Sequence, residues 1–136
     1  MKISMASLAN LHGKKLESSF IHTVGDEINQ VFLQIGGEWF VVVGKKGGES
    51  VEFIPSADPI TLDLELRRMP MITQFEGLEI SAIEAMGKEL EGSGFQINFS
   101  EFYDKGLIIQ SIYSGTKPEN FDDCLRVGVA NYIFKV

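Results

Sequence analysis

The stretch from Val31 to Val43 constrains the fold of this chain more than any other part of it. Val31, Leu33 and Ile35 alternate with Phe32 and Gln34, Gly36-Gly37-Glu38 follows, and Trp39 to Val43 is apolar again. A period of two marks a strand with one face in a core, and a glycine pair between two such runs marks a hairpin. Phe40 to Val43 is apolar on both faces, which fits a central strand covered on both sides. Lys45-Lys46-Gly47-Gly48 is the next turn and leads into Val51 to Ile54, so a three-stranded meander is expected from about Ile28 to Ile54.

The same reading runs along the rest of the chain. Met5, Leu8 and Leu11 stand at helical spacing and suggest a short helix before the strand-like pattern that starts at Leu16. Asp58 to Met69 carries two patterns. Asp58-Pro59 can open a helix as N-cap and first helical residue, with Leu62, Leu66 and Met69 on one face. Ile60, Leu62, Leu64 and Leu66 also alternate with Thr61, Asp63 and Glu65, as in a half-buried strand, and the strand is the expectation. Pro70 ends either element. Leu78 to Met86, Phe95 to Phe99 and Leu107 to Tyr113 read as strands, separated by turns at Gly92-Ser93-Gly94 and Asp104-Lys105-Gly106. Pro118 to Asp123 reads as loop or a single helical turn, and Val127 to Val136 as a closing strand with Tyr132, Phe134 and Val136 on one face.

Two parts of the chain echo each other, 11–44 and 75–109. Leu11-His12-Gly13-Lys14-Lys15-Leu16 matches Phe75-Glu76-Gly77-Leu78-Glu79-Ile80, and Val31 to Ile35 matches Phe95 to Phe99. The offset is 64 residues as far as Trp39 and Tyr103, and 66 if Val41-Val42-Val43 is laid on Leu107-Ile108-Ile109. A single meander has one apolar face that it cannot hide alone, and two packed together bury both. The expected fold is therefore α+β, predominantly antiparallel β. Two pseudo-repeated β-meanders form a sandwich or strongly bent sheet, with at most one or two short helices, in one domain over 1–136.

Charge narrows the class of partner. Residues 1–50 carry five lysines and five acids, so the whole net charge of −7 belongs to residues 51–136. Between Thr73 and Asp104 stand seven acids (Glu76, Glu79, Glu84, Glu89, Glu91, Glu101 and Asp104) against Lys88 alone. Such a balance repels phosphate backbones and anionic membranes, so neither nucleic acid nor membrane is an expected partner. No apolar run reaches bilayer length, the start of the chain has no signal-peptide core, and Cys124 is the single cysteine. These features point to the cytoplasm.

Motifs for chemistry are weak. His12, His22 and Cys124 have no metal-ligand spacing, and Asp122-Asp123 alone makes no calcium loop. Cys124 follows two carboxylates, which oppose a thiolate, and reads as a small core residue. Gly44-Lys45-Lys46-Gly47-Gly48-Glu49-Ser50 lacks the phosphate-loop spacing, and no G-x-S-x-G elbow is present. Asp63 and Glu65 would share a strand face about 7 Å apart, a spacing that carboxylate pairs of hydrolases use and solvated faces produce constantly.

No cofactor, metal or catalytic residue is expected. The leading expectation is a non-enzymatic acidic protein-binding module, its partner side formed by the seven acids of Thr73–Asp104. In size and charge it is similar to cytoplasmic immunity proteins that inhibit basic, nuclease-like bacterial toxins. A small-molecule-binding or homodimeric interaction domain comes second, and a small hydrolase using Asp63, Glu65 or His22 third.

Overall fold

In the computed structural model, Leu16–Val24 (β1), Glu27–Ile35 (β2), Glu38–Lys45 (β3) and Ser50–Ser56 (β4) form an antiparallel meander. The structure describes residues 8–45, 50–86, 93–113 and 124–131, with the backbone alone at 50, 85, 86, 93, 103, 104, 113 and 131. The turn at Gly36 and Gly37 has both residues at positive φ and sets Ile35 opposite Glu38, a two-residue hairpin as the glycine pair implies. A second antiparallel meander follows, of Ile80–Met86 (β6), Ser93–Phe99 (β7), Phe102–Tyr113 (β8) and Cys124–Asn131 (β9). Between the two lie a 3-10 turn at Pro59–Thr61, the short strand Leu66–Arg67 (β5) and the one-turn helix Pro70–Thr73 (α1). The fold is predominantly antiparallel β in one curled sheet, with few and short helical segments.

The inner faces of the two meanders share one core. Val31, Leu33, Phe40, Val42 and Phe53 from the first pack with Ile83, Phe95, Ile97, Leu107 and Ile109 from the second. Phe53 meets Phe95 edge to face, 5.6 Å between ring centroids.

Two seams join the meanders. One is the pairing of Ile28 in β2 with Leu125 in β9. At the other, Lys15 faces Glu79 across an antiparallel bridge bounded by four backbone hydrogen bonds. Gly13 N–H donates to the Ile80 carbonyl (2.8 Å) and Gly77 N–H to that of Leu16 (2.7 Å). Leu16 N–H donates to Leu78 (3.1 Å) and Ile80 N–H to Lys14 (2.8 Å). Moving every residue by 64 exchanges the members of each pair and leaves Lys15–Glu79 on the axis. Gly13 and Gly77 are the matching residues at φ 86° and 88°, where a side chain is disfavoured. Leu8 and Ile72, Leu11 and Phe75, and Leu16 and Ile80 are buried counterparts at the same offset.

In the last matching strands the register overturns the offset of 66. Leu33 faces Phe40 and Ile97 faces Leu107, so β3 and β8 correspond at 67, with three residues inserted. They enter where Asn98 faces Gly106 and Phe99 faces Phe102. Side chains alternate along a strand, so an error of one residue exchanges core for surface. At 67, buried Phe40 and Val42 lie on buried Leu107 and Ile109, and half-buried Val41 lies on half-buried Ile108.

Other boundaries also moved. Leu8 is helical and runs into a 3-10 turn at Ala9–Leu11, with Leu8 and Leu11 buried, so the described end of the expected short helix is helical. The strand expected over Asp58 to Met69 is reduced to Leu66–Arg67, and Ile60 and Leu62 are exposed. Asp58 caps the Pro59–Thr61 turn instead, its Oδ1 accepting from Ile60 N–H at 3.0 Å, so the capping signal outweighed the alternation. The closing strand begins at buried Cys124, three residues before Val127. Met5, Pro118 to Asp123, Tyr132, Phe134 and Val136 lie outside the described residues, as do parts of the turns at 45–48 and 92–94.

Candidate functional site: the acidic surface and the connector

Of the seven acids in Thr73–Asp104, Glu76, Glu79, Glu84 and Glu101 have described side chains. Glu89 and Glu91 lie outside the described residues, and only the backbone of Asp104 is described. The four do not form one uniform patch. Glu76 is half-buried in the turn after α1, where Oε1 meets Arg68 Nη2 at 2.5 Å and Oε2 accepts from Ser19 Oγ at 2.7 Å. It ties the connector to β1 and has little charge left to offer a partner. The counterpart of this contact at the other end of the seam has no carboxylate: Ile83 N–H donates to His12 Nε2 at 3.3 Å.

Glu79 and Glu101 are exposed and meet beside the β7–β8 turn. Ser100 Oγ donates to Glu79 Oε2 (3.2 Å), and Glu79 N–H donates to Glu101 Oε2 (3.3 Å). Glu84 is exposed on the outer face of the second meander, in a cross-strand row with Gln96, Ile108 and Gly128. The next row is Ala82, Asn98, Gly106 and Ala130, so the side chains of this face are mostly small, with two amides among them.

The first meander has a different outer face. Phe20, Phe32, Val41 and Ile54 form one cross-strand row, and Ser18, Gln34, Trp39 and Ser56 the next. Phe32 is 1% exposed although Val31 and Leu33 on either side of it point into the shared core. Phe20 stacks on Trp39 at 5.9 Å, and the Arg68 guanidinium sits 5.6 Å over the Phe20 ring. The half-buried rings of this face are thus held by Arg68, which also donates to Ser18 Oγ and the Ser19 carbonyl. Strict alternation hides such a second apolar layer, and Phe32 in place of a polar residue is the signal that could have found it.

The other candidates are separate from one another. Asp63 and Glu65 are exposed on the connector before β5, not on a strand face, which removes the basis for reading them as a catalytic pair. His22 Nδ1 lies 3.1 Å from the Glu65 carbonyl, a contact that pins the connector to β1. Cys124 is buried. Among the described residues, no three His, Cys, Asp or Glu side chains converge as a metal cage requires, and no helix is long and apolar enough to cross a membrane. Comparison of the chain with protein-family models, with curated proteins and with solved structures finds no match.

Proposed function

We propose that this chain is a non-enzymatic acidic module that binds a basic protein, and that it acts in the cytoplasm as an immunity protein against a nuclease-like toxin. The observation that supports it is the exposed set Glu79, Glu84 and Glu101: the Glu101 carboxylate accepts from the Glu79 amide, the Glu79 carboxylate accepts from Ser100 Oγ, and Glu84 stands on the outer face of the second meander. Exposed carboxylates on a chain of net charge −7 steer a cationic partner from a distance and repel anionic ones.

Immobilised chain at low salt should retain a cationic protein and release it as ionic strength rises through the range where the screening length falls below about 10 Å. Glu84→Lys with Glu101→Lys should lose most of that retention. Equal retention by the double variant would remove these carboxylates from the interface.

A further inference from the structure

The largest exposed apolar side chains among the described residues are Ile60 (69% exposed), Leu62 (37%) and Met71 (37%), all on the connector between the meanders. Ile60 and Leu62 are not on a floppy loop. Thr61 N–H and Oγ1 both donate to the Asp58 carbonyl (2.9 and 2.6 Å), Leu62 N–H donates to Pro59 (3.1 Å), and Leu64 N–H to Leu62 (2.9 Å). Asp58 Oδ1 holds the Ile60 amide, and Pro59 is buried beneath the turn. The turn therefore presents two apolar side chains outward in a fixed geometry, which lowers the ordering cost of inserting them into a partner.

Their surroundings specify that partner. Residues 58–66 carry Asp58, Asp63 and Glu65 and no basic side chain, and all three acids are exposed. Of the two arginines that follow, Arg67 is exposed and Arg68 is engaged with Glu76, the Ser19 carbonyl and the Phe20 ring, so three exposed acids face one exposed cation and the balance stays negative. An apolar pair with carboxylates beside it complements an apolar helix face flanked by lysine or arginine.

We infer that the Ile60-Thr61-Leu62 tip is the anchor with which this chain packs on the apolar face of a cationic amphipathic helix in its protein partner. The inference rests on the basic partner proposed above and adds an apolar contact that charge alone does not supply.

The test uses two synthetic peptides of equal length and lysine content, one an amphipathic helix with leucines at helical spacing, the other with serine at those positions. Calorimetric titration of the full chain should show about tenfold tighter binding of the leucine peptide, a difference that matches one anchoring side chain. Ile60→Ser with Leu62→Ser should bring the two peptides within about twofold of each other. Its melting temperature should stay that of the wild type, because both side chains are exposed. Asp63→Asn with Glu65→Gln should flatten the salt dependence of binding.

A tip variant that keeps the tenfold preference overturns the inference, and so does a wild type with no preference. If the wild type sediments as a dimer that the tip variant dissolves, the occupant is a second copy and the inference fails. Loss of binding in Glu84→Lys/Glu101→Lys together with full binding by the tip variant would leave the proposed function standing without this anchor.

Discussion

Glu76 and Gly77 show how much a single position carries in this chain. Ser19 is 1% exposed and has Glu76 as the acceptor for its hydroxyl. Glu76→Ala should therefore destabilise by about 1–2 kcal/mol in urea titration, mostly through the hydroxyl left without a partner. Arg68→Ala should cost less, about 0.5 kcal/mol, since its side chain is 49% exposed and the ion pair is screened. A larger loss from Arg68→Ala would reverse the assignment of Glu76 as the structural member of the pair. Gly13→Ala and Gly77→Ala should each cost about 1–2 kcal/mol and by similar amounts, because both need positive φ and a Cβ at either meets nothing within 4 Å. Unequal losses in the same titration would mean that the two ends of the seam are not energetically equivalent. The two glycines are visible in the sequence as matching punctuation. The positive φ belongs to the turns themselves, closed by Lys14 N–H on the Leu11 carbonyl and Leu78 N–H on that of Phe75; what the sequence does not show is that the two turns face each other across a seam.

At the scale of elements, the seven strands with clear alternation or flanking turns were legible, including the hairpin at Gly36-Gly37. The connector was not, because alternation in Ile60 to Leu66 comes from presenting and capping residues and not from a buried face. The insertion in β8 was also misplaced by one residue, since Val41 to Val43 and Leu107 to Ile109 are apolar throughout and only cross-strand pairing picks the register. Phe75, at the foot of the connector, is fully buried. It stacks on Phe99 at 4.7 Å and meets Phe102 edge-on at 5.7 Å. Phe75→Ala should cost about 3–5 kcal/mol by removing the element that fastens α1 to β7 and β8. Phe75→Leu should recover most of that loss. A loss below about 1 kcal/mol for Phe75→Ala would show that the three rings are not a packing unit.

On the scale of the whole molecule, the two meanders should unfold together. Their inner faces share one core, and both seams tie strands of one to strands of the other. Trp39, the single tryptophan, reports on the first meander, whereas far-ultraviolet circular dichroism reports on all strands. The two transitions in urea should coincide, and an earlier fluorescence transition would mean that the first meander comes apart by itself. The difference between the meanders also changes character at this scale. In the sequence it is one of charge; in three dimensions it is one of outer faces as well, aromatic and Arg68-clamped on one side, mostly small side chains with two amides on the other.

From its sequence alone, this chain determines that it is built of antiparallel strands, where most of them turn, and that its acidity lies in the second half. Those properties are local: side-chain alternation, glycine pairs and counts of charge need no knowledge of what lies across the fold. Tertiary structure decided which acids remain available, because Arg68 and Ser19 reach Glu76 from β1 and the connector while Glu79, Glu84 and Glu101 stay at the surface. It also decided that Ile60 and Leu62 face solvent. Burial depends on which surfaces arrive from distant parts of the chain, and a pattern read along one segment cannot contain that information.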